Sequence, residues 1–166
     1  YSGRERGQGE WPVSRRVLIT GGAGFIGFHL AKCLLDAGYT LHLVDNHARG
    51  IWDQHMEMLL SEPLVTFSAV DLLDRDAVLE LGSDFYAIFH LAAIVGVAHV
   101  LERPYVVLVE NTQMLDNVIA LASHQTKLSR LLFASTSEVY AGTLKYFDLP
   151  VPTPEHAALS VTALDQ

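Results

Sequence analysis

The run TGGAGFIG, Thr20 to Gly27, restricts what this chain can become more than any other segment. Before it stands a short, largely β-branched apolar stretch, Val17, Leu18 and Ile19, with the pattern of a buried parallel strand. After it, Phe25, Ile26, Leu30, Leu34 and Leu35 fall on one helical face, and Gly38 sits where a left-handed C-cap is wanted. Two glycine patterns overlap in the run: G-x-G-x-x-G at Gly22, Gly24 and Gly27, and G-x-x-G-x-x-G at Gly21, Gly24 and Gly27. At a strand-to-helix junction the first glycine permits a tight turn, the middle one lets backbone approach a pyrophosphate, and the last lets the helix pack close to the strand. The amides of the first helical turn, with the positive end of the helix dipole behind them, then face the phosphates. A glycine-rich surface turn is the plain alternative for such a pattern standing alone. Strand, glycines, helix and second strand in that order point instead to a dinucleotide.

The second strand, Leu41 to Val44, closes on Asp45, eighteen residues after Gly27. An acid about 20 residues beyond the glycines hydrogen-bonds the adenosine ribose 2′-hydroxyl, which favours NAD. The same carboxylate repels the 2′-phosphate of NADP, although Arg49, four residues on, could soften that preference. A solvated strand-end acid is the alternative for Asp45. Asp71 closes the third strand at the same carboxyl edge of a parallel sheet, where it could meet the adenine or cap a helix.

The alternation continues. Leu64 to Val70 reads as a strand, Asp74 to Leu81 as a short helix with Asp74 as N-cap, and Ala87 to Leu91 as a strand. A long helix is expected over Tyr105 to Ser123, where Val106, Val109, Leu115, Val118, Ile119 and Leu121 recur at helical spacing, and Leu131 to Ala134 as the next strand. Beyond Tyr140 the chain turns loop-like, with Pro150, Pro152 and Pro154 close together. Strands alternating with helices predict an α/β fold, a Rossmann-type doubly wound parallel sheet of about five strands. Residues 1–16, rich in Gly and Arg without apolar period, read as a mobile arm or cloning remnant, leaving 17–166 as one NAD-binding domain.

Composition removes several classes of partner. Eleven Lys and Arg against nineteen Asp and Glu give a net charge of −8, the wrong sign for neutralising nucleic-acid phosphates or anionic membranes. The most apolar window, Tyr86 to Leu101, is broken by His90, Gly96 and His99, short of the roughly 18 uninterrupted apolar residues of a membrane span. The lone Cys33 fits a reducing cytoplasm and reads as a small buried hydrophobe. His42, His47 and His55 do not match ligand pairs on one helical face or turn, and no metal is expected. Trp52, Met56 and Met58 read as packing or as a mobile loop.

Further motifs stand in order: the VDN of Val44 to Asn46, the VDLLD of Val70 to Asp74, HLAA at His90 to Ala93, Asn111 in the long helix, and STSEVY at Ser135 to Tyr140. From about Arg16 onward the chain resembles the extended short-chain dehydrogenase/reductases, specifically the NAD-dependent nucleotide-sugar epimerase/dehydratase family. The resemblance implies an NAD site lined by Gly21, Gly24, Phe25, Ile26, Asp45, Asn46, Asp71, Leu72, Leu91, Ala92 and Ala93, with Asn111 shaping it from behind. It implies transient oxidation of C4 in a nucleotide-linked hexose, with Thr136 as the catalytic hydroxyl holding the substrate's O4. Thr136, Ser137 and Glu138 together resemble the dehydratases and decarboxylases of the family, in which acid and base groups act beside C5 and C6, while many members with SSSEVY-like motifs are epimerases. For Glu138 a solvated loop acid is the alternative. The family's catalytic Y-x-x-x-K does not occur here: Phe28, Ser123 and Ala141 stand four residues before Lys32, Lys127 and Lys145. The chain is therefore expected to stop short of that pair and of the substrate domain, and to be inactive alone; the alternative is a catalytically silent dinucleotide-binding module. By the same resemblance a homodimer forms through paired helices, with Tyr105 to Ser123 the candidate.

Overall fold

A computed structural model describes residues 15–49, 52–146, 149–154 and 156–160. The arm expected over 1–16 lies outside the described residues except for Arg15 and Arg16, and Arg16 is already in the sheet. The chain divides into two compact units, Tyr1–Phe133 and Ala134–Gln166.

In the first unit, β1 (Arg16–Thr20), β2 (Thr40–Asp45), β3 (Val65–Ala69), β4 (Ala87–His90) and β5 (Arg130–Phe133) form one sheet in the order β3-β2-β1-β4-β5, every pairing parallel. The chain winds outward from β1 through β2 to β3, then returns to the other side of β1 for β4. That reversal leaves a crevice at the carboxyl ends of β1 and β4, where doubly wound sheets bind ligands. Alternate strand residues feed two cores, as a sheet covered on both faces requires. One holds Ile19, Ala31, Leu41, Leu43 and Met56; the other holds Leu18, Val44, Phe85, Ile88, Val118 and Leu121. β5 closes one edge, and its Leu132 and Phe133 are exposed.

The first helix, α1 (Phe25–Asp36), ends as expected. Gly38 has φ +87°, its N–H reaches the carbonyl of Leu35, and the N–H of Tyr39 reaches that of Leu34, which together form a Schellman cap. Of its expected face, Leu30, Leu34 and Leu35 pack half-buried against the core, but the first turn departs from it. Gly27 and Ala31 are the buried residues, while Phe25 and Ile26 are 78% and 66% exposed and Cys33 is exposed too. Small residues let the helix lie close to the sheet, which turns the first-turn side chains and Cys33 outward.

A helix unforeseen in the sequence, α2 (Gln54–Leu60), follows β2. Asp53 caps it by accepting the N–H of Met56, and Met56 and Leu59 are buried. α3 (Arg75–Leu79) is capped by Asp74, whose Oδ1 accepts the N–H of Ala77 at 3.1 Å. After β4 come α4 (Val97–Glu102) and α5 (Pro104–Ser123). The buried stripe of α5 is Val107, Met114, Asn117, Val118 and Leu121; Val106, Val109 and Ile119 face outward. Among the described residues no helix is long and apolar enough to cross a membrane.

In the second unit a single 3-10 turn, Ser137–Tyr140, runs directly into α6 (Ala141–Tyr146), where the sequence had suggested loop. Thr143 fastens the unit together: its hydroxyl donates to the carbonyl of Ala158 at 2.7 Å and accepts the N–H of Ser160 at 3.0 Å.

Candidate functional site

The glycine turn leaves β1 through Gly21, whose φ of +69° is a left-handed conformation that glycine adopts without strain. Gly21 also abuts the end of β4: a Cβ there would stand 2.8 Å from the nitrogen of Ala92. The chain then closes on itself, the N–H of Gly24 donating to the carbonyl of Gly21 at 3.0 Å. Gly24 is the N-cap of α1; no side chain caps that end, and no acidic residue lies in its first turn. An uncapped, positively polarised helix end beside a glycine turn suits a phosphate. Phe25 and Ile26 can offer such a group their backbone amides, because their side chains line a shallow groove with His29, Leu30 and Cys33 on the outer face of α1.

Asp45 is joined directly to this turn. Its Oδ2 accepts the N–H of Ala23 at 3.1 Å, and its Oδ1 accepts the N–H of His47 at 3.0 Å. Each carboxylate oxygen has a second lone pair, so the group can still take a sugar hydroxyl. Asn46 is exposed and folds its Oδ1 onto the N–H of Ala48. The guanidinium of Arg49 donates to the carbonyl of Val95, in the loop after β4.

The β3 loop is held from below. Asp71 accepts the N–H of Leu73 at 3.0 Å, and Leu72 is buried in the core, so it offers the edge its backbone and not its side chain. Asn117 of α5 donates to the carbonyl of Leu72 at 2.8 Å and accepts from Arg75, which also pairs with Asp116. Asn117 was not singled out in the sequence. Its signal is a lone amide within the apolar stripe of Met114, Val118 and Leu121.

The β4 loop is held in the same way. Asn111 accepts the N–H of Ile94 at 2.8 Å and donates to the carbonyls of Ile94 and Val107. One side chain thus satisfies both backbone groups of Ile94, as a neighbouring strand would. Leu91 and Ala92 are half-buried and Ala93 is exposed. At the root of this loop Thr20 and His90 are fully enclosed and bonded to each other at 2.7 Å. Burial lowers the pKa of His90 to about 4, so its ring is neutral near pH 7.

Gly21, Gly24, Asp45, Leu91 and Ala92 therefore converge at one end of the sheet, with Asp71 and Leu72 on the adjoining loop. Thr136, Ser137 and Glu138 belong to the second unit. There Thr136 is the N-cap of the 3-10 turn, its Oγ1 accepting the N–H of Glu138 at 3.2 Å, and all three residues are exposed.

An all-parallel doubly wound sheet with a glycine turn at its switch point and a carboxylate ending its second strand defines the Rossmann class of α/β domains. The chain belongs to the NAD dependent epimerase/dehydratase family, whose description matches residues 17–158. It is 38% identical over 128 residues to a UDP-N-acetyl-alpha-D-glucosaminuronate decarboxylase of Bacillus cytotoxicus, covering 77% of this chain and 38% of that enzyme. The structure of the UDP-Glc/GlcNAc 4-epimerase of Campylobacter jejuni superposes with a TM-score of 0.73 at 27% identity, over 89% of this chain and 43% of that one. The Bordetella bronchiseptica enzyme WbmF in complex with NAD+ gives a TM-score of 0.64 at 28% identity, over 75% and 37% of the respective chains. The chain thus spans about two-fifths of the length of the relatives it matches.

Proposed function

We propose that this chain is the NAD-binding portion of a nucleotide-sugar epimerase or dehydratase. The observation that carries the reading is the bond from the Ala23 N–H to Asp45 Oδ2, which fixes the acid meant for a ribose hydroxyl onto the turn meant for the pyrophosphate. The uncapped N-terminus of α1 and the cradle at Gly21, where a side chain has no room, fit the cofactor's phosphates. Gly21, Gly24 and the amides of Phe25 and Ile26 would hold the pyrophosphate; Asp45 and Asn46 the adenosine ribose; Asp71 and the Leu72 backbone the adenine; and Leu91, Ala92 and Ala93 the nicotinamide side. When bound, NAD supplies a hydride acceptor for C4 of a nucleotide-linked hexose.

In this reading the Thr136 hydroxyl hydrogen-bonds the substrate's O4 and orients it, with Ser137 beside it. Glu138 serves as acid or base next to C5 and C6 when the outcome is dehydration or decarboxylation. The 38% identity to a UDP-sugar decarboxylase supports decarboxylation as the second reading. Isothermal titration tests the cofactor assignment: NAD binds and NADP binds more weakly. Absence of heat with both cofactors would overturn it.

The partner would be a second copy of the chain. Tyr105, Leu108 and Val109 of α5 are exposed, Tyr105 by 82%, and an apolar helix face of this kind suits a self-complementary two-fold contact. Sedimentation at micromolar concentration distinguishes a dimer from a monomer.

A further inference from the structure

We propose that His90 and Thr20 form a positioning pair that sets the backbone of Leu91 and Ala92 for the cofactor, with His90 held as the neutral Nε2–H tautomer. The inference rests on the NAD reading above and concerns two residues to which that reading gives no role.

The protons around the Thr20 hydroxyl fix the tautomer. Three groups surround the hydroxyl of Thr20: the N–H of Leu91 at 3.2 Å, the N–H of Ala92 at 3.3 Å and Nδ1 of His90 at 2.7 Å. The two amides can only donate, so the oxygen of Thr20 accepts from both. A hydroxyl has one proton to give, and Nδ1 of His90 is the acceptor remaining among these three. Nδ1 therefore carries no proton, which leaves the ring proton on Nε2. The opposite tautomer would aim a third donor at an oxygen already serving two.

The arrangement is enclosed. Thr20 and His90 are 0% and 2% exposed, and the ring of His90 stacks on that of Phe133 at 5.7 Å between centroids. Water is thus kept from replacing the acceptor, and the hydroxyl stays oriented. The two amides that it contacts, of which the Leu91 N–H is shared with the backbone carbonyl of Thr20 at 3.2 Å, belong to the residues against which Gly21 is pressed, Ala92 N and Leu91 C. The orientation of the Thr20 hydroxyl is consequently passed to the place where the glycine turn meets the end of β4. His90 touches no cofactor atom in this scheme; it acts through Thr20.

Two readouts test the pair. Nitrogen-15 spectra of the histidine side chains, recorded without cofactor near pH 7, should show His90 with an unprotonated Nδ1 and a protonated Nε2. Isothermal titration with NAD should give binding about tenfold weaker for Thr20→Val and for His90→Phe. Thr20→Ser, which keeps the hydroxyl, and His90→Asn, whose amide oxygen falls near the position of Nδ1, should recover most of the affinity. In the double variant Thr20→Val/His90→Phe the loss should be close to that of either single change and well below their sum. A protonated Nδ1, or wild-type affinity in His90→Phe, overturns the pair while the NAD reading stands. Absence of NAD binding by the wild-type protein overturns the NAD reading and the positioning role with it. The spectra, recorded without NAD, then still tell whether the proton count was right.

Discussion

Gly27 lies so close to the carbonyl of Gly21 that a Cβ on Gly27 would stand 2.2 Å from that oxygen. The contact joins the first turn of α1 to the bend leaving β1, and the atom in the way is backbone, which cannot rotate aside. Gly27→Ala should therefore destabilise the fold by about 1–3 kcal/mol, as overpacking does, despite alanine's better helix propensity of roughly 0.5–1 kcal/mol. Urea unfolding checks this through the midpoint; a midpoint equal to wild type would mean that helix and turn can separate without loss.

Asp45 should govern the choice of cofactor. Asp45→Ala removes both the acceptor for a ribose hydroxyl and the charge that repels a 2′-phosphate, and it frees the Ala23 amide. The ratio of NAD to NADP affinity should fall by about tenfold or more. An unchanged ratio in parallel titrations would place the discrimination elsewhere.

Thr136 should matter to turnover and not to cofactor affinity. In the intact enzyme Thr136→Ala is expected to lower kcat by about 10²-fold, the usual worth of a positioned acid–base partner, while NAD binds as before. Steady-state kinetics and titration on the same preparation separate the two. Undiminished kcat would remove Thr136 from the mechanism.

The buried histidines give the fold a pH dependence of definite sign. Burial lowers His90 from 6.5 to about 4; burial, then the Arg16 guanidinium, lowers His42 to about 4, with Asp84 opposing. Between these values the unfolded chain binds protons that the folded chain refuses. The stability they contribute is complete above about pH 6.5 and is lost as the pH falls toward 4. His90→Asn has no such proton to refuse, so its urea midpoint should drop less than that of wild type between pH 7 and pH 5. Equal drops would show that His90 is not held neutral by the fold.

The parts of the fold that repeat a strong local pattern could be read from the sequence. The glycine turn, the strands ending at Thr20 and Asp45, the Gly38 cap and the Asp74 cap each depend on residues adjacent in the chain. The parts that escaped depend on tertiary space. Phe25, Ile26 and Cys33 have the character of core residues, yet Gly27 and Ala31 take the core side because closeness to the sheet outweighs side-chain area there. α2 is short and carries its signal in three residues, Asp53, Met56 and Leu59. In the site, the acids and glycines were visible as types in a spacing. The roles of Thr20, His90 and Asn117 arise from contacts across 70, 70 and 45 positions of chain, which no local pattern reports.

Asn111 and Asn117 hang two separate loops, those after β4 and β3, from a single helix. Six residues at about 1.5 Å each make the interval between the two fastenings roughly 9 Å, set by helical rise and independent of loop length. α5 therefore acts as a ruler: it gauges the separation of the two loops over which an extended ligand would have to lie, and any sliding of the helix along its axis would carry both marks together.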